Sequence, residues 1–294
     1  MLRAARAEGN AATGGSVKGV IMTKLPLLFT TVLALAPAFA PATDVSALQR
    51  RQAEEWCSDN NSGDDRARFS EIRDFAVPAS GATVRVDASP NGGIKVDGEA
   101  RGDIQLKACV STTAESEEQA KALAQRVEIV ATAQQITANG PQSQGRRESW
   151  SVSYRLTVPS KTSLSLRTTN GGIGLTDVEG EIDFQTVNGG VTLSRLAGNV
   201  RGRTSNGGVT VDLEGSTWNG QGLDVTTDNG GVNMSIPSNY SARLETGTIN
   251  GRMNIDFPVT VQGRIGRNIE TQLGSGGPTI RVSTSNGGVN IKRK

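Results

Sequence analysis

Apolar and polar residues alternate over short stretches in the first half of the chain. Residues 84–86, 94–96 and 104–110 carry apolar side chains at every second position, which is typical of strands with one buried face. Residues 150–158 show the same alternation. The pattern therefore predicts several strands between residues 75 and 160.

A helical spacing interrupts these strands. Over about residues 114–131 the apolar positions are Ala120, Leu123, Ala124, Val127 and Ala131. They recur every three or four residues, as on the buried face of a helix. Thr112 and Glu115 have the spacing of a capping box at its start. Residues 75–160 are therefore predicted to be an α+β region with one helix.

From about residue 161 to the end, the alternation is organised in a repeat. Its unit reads apolar-x-apolar-x-Thr-x-Asn-Gly-Gly-apolar-x-apolar, and the first five copies lie about 18 to 23 residues apart. The conserved polar positions of the six copies are Thr168 and Asn170, Thr186 and Asn188, Thr204 and Asn206, Thr227 and Asn229, Thr248 and Asn250, and Thr284 and Asn286. Another Asn-Gly-Gly, without this register before it, begins at Asn91.

This repeat predicts a mainly β fold, with a β-solenoid of stacked, parallel β-helix-like units over residues 161–294. Each unit has two strands and two corners, one at Asn-Gly-Gly and one around Val178 and Gly180. Units of this length cannot bury an apolar face alone and therefore stack. The region 75–160 is then predicted to cap one end of the stack. An antiparallel meander or sandwich is the alternative, since Asn-Gly also forms hairpins.

The polar positions of the repeat have a structural interpretation. Alternation places threonine and asparagine on the same face as the apolar residues. Stacking would arrange them in columns, in which each side chain finds a hydrogen-bond partner one rung away. The glycines are expected to supply positive φ at the corner. Arg252 replaces the second glycine in the fifth copy, so only the first glycine is needed throughout.

The N-terminus has the pattern of an export signal. Lys24 precedes an apolar run that ends in small residues, which is typical of a signal peptide. We therefore predict that residues 1–42 are a leader, that translation starts at Met1 or Met22, and that the mature chain begins near residue 43. A transmembrane anchor is the alternative, but prolines interrupt the run and it is shorter than about 20 residues. Residues 43–74 are polar and are predicted to be irregular.

The net charge of the mature chain narrows the classes of binding partner. The leader carries four basic residues and one acidic residue, so its removal takes the net charge from +2 to about −1. Without a basic stripe, nucleic acid is not expected as a partner.

Cys57 and Cys109 are the two cysteines of the chain, and in an oxidising compartment they are expected to form a disulfide. Two buried free thiols are the alternative.

The Thr-x-Asn-Gly-Gly repeats resemble a bacterial family of candidate adhesins, a β-strand-repeat domain of unknown function found in exported envelope proteins. The resemblance begins near SPNGGIKVDG and continues to NGGVNIKRK. It implies a protein of the cell envelope, in the periplasm or at the cell surface. It supplies no catalytic residues. No lipid-acceptor cysteine lies at the expected cleavage point, and no transmembrane anchor is expected in the mature chain.

These observations favour a non-enzymatic, adhesin-like protein that binds or scaffolds an envelope protein or a glycan. The alternative is a polysaccharide-active enzyme, a lyase or a glycosidase, on a β-helix. Such chemistry needs paired carboxylates. The candidates are Asp177 with Asp183, Asp212 with Asp224, and Asp256. They form no recognisable cluster, and no catalytic residue, metal or cofactor is predicted.

One irregularity in the repeat suggests a binding loop. The segment GSTWNGQGL adds five residues to one unit around Trp218, and repeat proteins often place binding on such insertions. Trp218 is therefore a candidate binding residue. The alternative is that its ring fills a gap in the packing.

Overall fold

The computed structural model describes residues 56–57, 66–142, 148–256 and 267–294. These residues all belong to one compact unit, Val45–Lys294. The predicted leader, its cleavage near residue 43 and most of the segment 43–74 lie outside the described residues.

The fold is mainly β, with one helix in the described part of the chain. The N-terminal elements are β1 (Ala67–Pro78), β2 (Val84–Asp87), β3 (Ile94–Glu99), β4 (Asp103–Ala114), α1 (Glu117–Gln125), β5 (Glu128–Ala131), β6 (Gln135–Asn139) and β7 (Ser149–Pro159). The repeat region contains β8 (Leu164–Arg167), β9 (Ile173–Thr176), β10 (Glu179–Asn188), β11 (Val191–Ser194), β12 (Ala197–Asn206), β13 (Val209–Asp212), β14 (Gly222–Asn229), β15 (Val232–Ile236), β16 (Ala242–Asn250), β17 (Met253–Ile255), β18 (Asn268–Leu273), β19 (Thr279–Asn286) and β20 (Val289–Arg293).

These strands form two ten-stranded sheets. Sheet A has the order β1-β4-β7-β3-β9-β11-β13-β15-β20-β17, and sheet B has the order β18-β16-β19-β14-β12-β10-β8-β2-β6-β5. Both orders are open, so neither sheet closes into a barrel among the described strands. From β8 to β17, successive strands alternate between sheet B and sheet A. Each Asn-Gly-Gly corner therefore carries the chain from one sheet to the other.

Neighbouring repeats pair in parallel and in register. Along β10 and β12, for example, Thr186 pairs with Thr204, and Asn188 pairs with Asn206. The same residue of the repeat therefore lies next to its counterpart in the neighbouring rung, where a rung is one strand of sheet B followed by one strand of sheet A.

The spatial order of the rungs differs from the order of the sequence. The last repeat, β19 and β20, lies between β14–β15 and β16–β17. Asn286 therefore neighbours both Asn229 and Asn250. At the edge of sheet B, β18 pairs with β16 in the antiparallel direction.

The core lies between the two sheets and consists of the alternating apolar residues. Val200, Val209 and Leu193, for example, are almost completely buried. Large and small side chains complement each other between rungs. A Cβ atom on Gly202 would lie 2.2 Å from the ring of Phe184, which pairs with it in register. Such close packing is expected of a protein interior.

The N-terminal region differs from the prediction in two places. The helix spans Glu117–Gln125 and not 114–131, because β4 continues to Ala114 and residues 128–131 form β5. Its N-cap is Ser116, whose side chain accepts from the Gln119 N–H. The expected capping box does not form, since Thr112 is buried and its Oγ1 donates to the carbonyl of Ala120 at 2.7 Å.

The segment predicted as irregular contains most of a strand. Residues 67–74 belong to β1, which pairs with β4 along its whole length. The segment has no alternating pattern that would predict a strand. The strand is stabilised by contacts with residues distant in sequence. Arg73 provides one of them, because its Nη2 donates to the Ala124 carbonyl at the end of α1, at 2.8 Å.

The first glycine of each corner is required for a different reason from the expected positive φ. In six corners, a Cβ atom on this glycine would lie 1.8 to 2.1 Å from the carbonyl oxygen of the first glycine in the neighbouring rung. None of these six glycines has positive φ. At the second glycine the nearest atom would be 3.1 to 3.6 Å away. Steric room, and not backbone conformation, therefore explains why Arg252 is tolerated at the second position.

Alanine substitution at Gly189 and Gly190 tests this distinction. A Cβ atom on Gly189 would lie 1.9 Å from the Gly171 oxygen, whereas one on Gly190 would lie 3.6 Å from the Gly208 oxygen. We expect Gly189→Ala to lower the free energy of unfolding by about 1–3 kcal/mol or more, and Gly190→Ala to change it by less than about 1 kcal/mol. Urea unfolding measures both, and equal effects would contradict the steric explanation.

Candidate functional site

A continuous ladder of asparagine side chains follows one corner of the molecule. In spatial order its members are Asn91, Asn170, Asn188, Asn206, Asn229, Asn286 and Asn250. Each Nδ2 from Asn170 onward donates to the Oδ1 of the preceding member, at 2.7 to 3.0 Å. We call this row the asparagine edge. The outlying Asn91 joins it through an isolated bridge to Asn170.

The structure places these asparagines on the surface and not on the inward face. Asn188 and the preceding Val187 are both exposed, whereas Thr186 is buried. The alternation thus breaks at the asparagine, two residues after the threonine, where the strand ends. The predicted columns exist for both residue types, but only the threonine column belongs to the core.

Each buried threonine of the repeat bonds to the backbone of the next rung. The Oγ1 atoms donate to the carbonyl of the first corner glycine at 2.7 to 2.8 Å. The pairs are Thr168 with Gly92, Thr186 with Gly171, Thr204 with Gly189, Thr227 with Gly207, Thr284 with Gly230 and Thr248 with Gly287. The partner is therefore a carbonyl oxygen, and the buried hydroxyl is satisfied.

The asparagine edge retains hydrogen-bonding capacity that faces solvent. A primary amide offers two N–H donors and two acceptor lone pairs. Within the ladder an interior member such as Asn206 uses one donor and one lone pair of its side chain. The remaining donor and acceptor recur at the strand spacing of about 4.8 Å. The edge is thus a regular array of neutral polar groups.

The candidate catalytic acids do not converge. Asp212 and Asp224 lie on different sheets. Asp212 pairs with Lys294 at 2.6 Å, and Asp224 pairs with Arg281 at 3.0 Å. Carboxylates separated in this way cannot act on one glycosidic bond together.

Asp177 is held by an arginine of the next rung. Both carboxylate oxygens accept from Arg195 at 2.6 Å. This hydrogen bonding lowers the pKa of Asp177 and raises that of Arg195. A general acid in a glycosidase needs the opposite shift. Asp183 lies on β10 in sheet B, whereas Asp256 follows β17 of sheet A.

Trp218, the candidate binding residue of the inserted loop, is only 4% exposed. Its Nε1 donates to the Gly198 carbonyl at 2.9 Å, and its ring belongs to the core. The structure therefore places it in the packing and not on a binding surface. Next to the loop, a shallow groove of about 210 Å³ is lined by residues that include the polar Asn199, Arg201 and Gln221.

Cys57 and Cys109 form a disulfide with a sequence separation of 52. Beside it, Trp56 lies over the guanidinium of Arg155, 4.4 Å from the ring centroid. Burial lowers the pKa of Arg155. Together these contacts fix residues 56–57 on the outer face of sheet A. The Trp56–Arg155 contact was not predicted, since no sequence signal links two such distant residues.

Within the described ranges, no group of three or more His, Cys, Asp or Glu side chains is arranged to hold a metal ion. In the same part of the chain, no helix has the length and hydropathy of a membrane span.

The sequence belongs to the Toastrack DUF4097 family, whose profile matches residues 41–292. No curated protein matches it.

Three solved structures are similar to the chain. A candidate cell adhesion protein from Clostridium sporogenes ATCC 15579 has 14% identity and a TM-score of 0.39, with coverage of 78% of this chain and 100% of its own. A candidate adhesin from Bacteroides fragilis NCTC 9343 has 13% identity and a TM-score of 0.32, and the match covers 77% of this chain and 97% of the adhesin. A candidate adhesin from Parabacteroides distasonis ATCC 8503 has 11% identity and a TM-score of 0.34, and the match covers 72% of this chain and 97% of the adhesin.

Removal of a buried threonine hydroxyl tests the contribution of the threonine column. Thr204→Val keeps the shape of the side chain but leaves the Gly189 carbonyl without its donor. We expect the free energy of unfolding to fall by about 1–2 kcal/mol. Thr210→Val, on the exposed face of β13, is the matched control and should change it by less than about 0.5 kcal/mol. Equal values for the two variants in urea unfolding would show that the column contributes nothing.

Replacement of Asp177 by asparagine should make stability less dependent on pH. The pKa of Asp177 is lowered in the folded protein, so its contribution is present above the unfolded pKa and is lost as pH falls through the folded pKa. Asp177→Asn should therefore lower the melting temperature slightly at neutral pH, as expected for an exposed ion pair. The difference should vanish in acid. Asp183→Asn is the control, and a difference that persisted in acid would refute the assignment.

Proposed function

We propose that this protein is a non-enzymatic, adhesin-like component of the cell envelope, a β-solenoid that binds a neutral glycan or an envelope protein along its asparagine edge. The observation that carries this proposal is the uninterrupted row of seven exposed amides, each with unused hydrogen-bonding capacity.

The solenoid interpretation is supported by the pairing of the repeats. Strands of successive units lie parallel and in register in both sheets. Each rung contributes one strand to each sheet and turns twice, once at Asn-Gly-Gly and once near the left-handed residues Asp177 and Arg195. A stacked coil of this kind has a constant side-chain pattern along its axis.

The region 75–160 is proposed to cap one end of the solenoid. Its strands β4 and β7 pair in the antiparallel direction, and so do β5 and β6. Antiparallel pairs at the end of both sheets interrupt the parallel stacking pattern. Ends that are covered in this way are protected from pairing with other chains.

A binding role agrees with how the polar residues are used. Asp177, Asp212 and Asp224 are engaged in ion pairs with basic residues, which leaves no matched acid and base among them. The asparagines, by contrast, are neutral and exposed. Weak contacts repeated at a constant spacing gain affinity from multivalency, which suits a partner that is itself a repeating polymer.

The proposed location is the periplasm or the cell surface. It is supported by the predicted leader in residues 1–42 and by the Cys57–Cys109 disulfide, since disulfides persist in oxidising compartments. Cell fractionation followed by N-terminal sequencing measures both the compartment and the start of the mature chain. A cytosolic protein that retained residues 22–42 would contradict the proposal.

Binding to a panel of envelope polysaccharides and to extracted envelope proteins tests the proposed function. We expect binding of the mature protein to be strongly reduced in the triple variant Asn188→Ala, Asn206→Ala, Asn229→Ala, because these three adjacent amides form the middle of the edge. The matched control is Thr192→Ala, Thr210→Ala, Asn233→Ala, which changes three adjacent rungs on the outer face of sheet A.

Circular dichroism and melting temperatures of both variants show whether each remains folded. Binding by the wild type that the asparagine variant retained at full strength would overturn the assignment of the surface. Failure of the wild type to bind any member of the panel above background would overturn the binding function. Hydrolysis of a polysaccharide that was lost in Asp183→Asn would favour the enzyme alternative.

A further inference from the structure

The same ladder has a chemical consequence that does not depend on what the protein binds. Every member of the asparagine edge is followed by glycine. An Asn-Gly pair is prone to spontaneous deamidation, because glycine places no side chain in the way of its own backbone nitrogen. The side-chain amide and the following N–H are the two reacting groups, and their hydrogen bonds decide whether they can meet.

In six of the seven pairs, the N–H of the glycine is held by the next rung. The glycine nitrogens donate to the backbone oxygen of the neighbouring asparagine at 3.0 to 3.1 Å. The donors are Gly92, Gly171, Gly189, Gly207, Gly230 and Gly287. In the same six pairs, the Oδ1 of the asparagine accepts from the Nδ2 of the next member. Both reacting groups are therefore restrained.

The seventh pair, Asn250–Gly251, lacks both restraints. It lies at the end of the ladder, since Asn250 donates to Asn286 but no further member follows. Among the described residues, no group donates to the Asn250 Oδ1, and no oxygen accepts from the Gly251 N–H. Asn250 is also exposed. The difference follows from its position in space, because the repeat at 279–291 is inserted before it in the stack.

We propose that Asn250 is a site of spontaneous deamidation in the folded protein, and that the hydrogen bonds of the ladder protect the other six members. In the reaction, a base removes the proton of the Gly251 N–H, and the nitrogen attacks Cγ of Asn250. The Cγ–Nδ2 bond then breaks, Nδ2 takes up a proton and leaves as ammonia, and a cyclic imide remains. Water then opens the imide and gives aspartate or isoaspartate at position 250.

Either product loosens the last rung. A carboxylate at position 250 cannot donate to the Asn286 Oδ1, so the terminal bond of the ladder is lost. Isoaspartate in addition lengthens the backbone next to Gly251, where a Cβ atom would already lie 1.8 Å from the Gly287 oxygen. The reaction therefore makes β16 and β17 the part of the described stack that changes with the age of the protein.

Trypsin digestion separates Asn250 from Asn286, which is the protected site used for comparison. Cleavage after arginine and lysine releases residues 244–252 and 282–292 as different peptides, and each contains a single Asn-Gly, at Asn250 and at Asn286. The folded full-length protein is incubated in mildly alkaline buffer, digested at intervals and analysed by liquid chromatography and mass spectrometry. A parallel sample in denaturant, in which neither site is restrained, provides the reference.

We expect Asn286 to react on the order of tenfold to a hundredfold more slowly than Asn250 in the folded protein, which corresponds to the loss of two hydrogen bonds before reaction. In denaturant the two rates should be similar. Equal rates in the folded protein, or an Asn250 that stays intact while the denatured chain reacts, would overturn the proposal.

The variant Asn250→Ser distinguishes the two protecting hydrogen bonds. It removes the reactive amide and the donor to the Asn286 Oδ1, but it keeps the backbone oxygen of residue 250 that accepts from the Gly287 N–H. The signal in peptide 244–252 should disappear, and Asn286 should remain several-fold slower than Asn250 is in the wild type. Reaction of Asn286 at that wild-type rate would show that the glycine N–H is not what protects the ladder.

Discussion

The close approach of the glycine corners is the constraint on which the rest of the repeat depends. The carbonyl oxygen of Gly171 illustrates it, because this oxygen accepts from the Thr186 hydroxyl and lies where a Cβ atom on Gly189 would be. One oxygen thus requires a donor in the following strand and an absent side chain at the following corner. The threonine and the first glycine are two requirements of the same contact, and this explains why they recur together.

This contact also determines how the polar residues are distributed between structure and surface. The threonine hydroxyls are buried in the core and donate their hydrogen bonds there, because an unpaired buried hydroxyl would be costly. The asparagines complete the corner from the outside and keep part of their hydrogen-bonding capacity. The carboxylates of Asp177, Asp212 and Asp224 are paired with arginine or lysine. The surface of the stack, and not a cleft, is therefore where function is expected.

The asparagine edge is continuous in space, although the spatial order of its members differs from their order in the sequence. The final repeat lies between two earlier ones, and the hydrogen bonds of the asparagine edge pass from Asn229 to Asn286 and then to Asn250. The last repeat fits this position because its Thr284 and Asn286 meet a threonine and an asparagine in register on both sides. What distinguishes one member of the ladder from another is therefore only whether it has neighbours on both sides.

The sequence by itself determined the repeat, its alternating core positions and the presence of one helix, because period-two and helical spacings are local properties of the chain. It also indicated that only the first glycine is indispensable. Tertiary structure decided the rest: the exposure of the asparagines, the burial of Trp218, the shorter helix, the strand in residues 67–74 and the order of the rungs. Each depends on which segments meet, and local spacing carries no information about contacts such as that between Gly171 and Gly189.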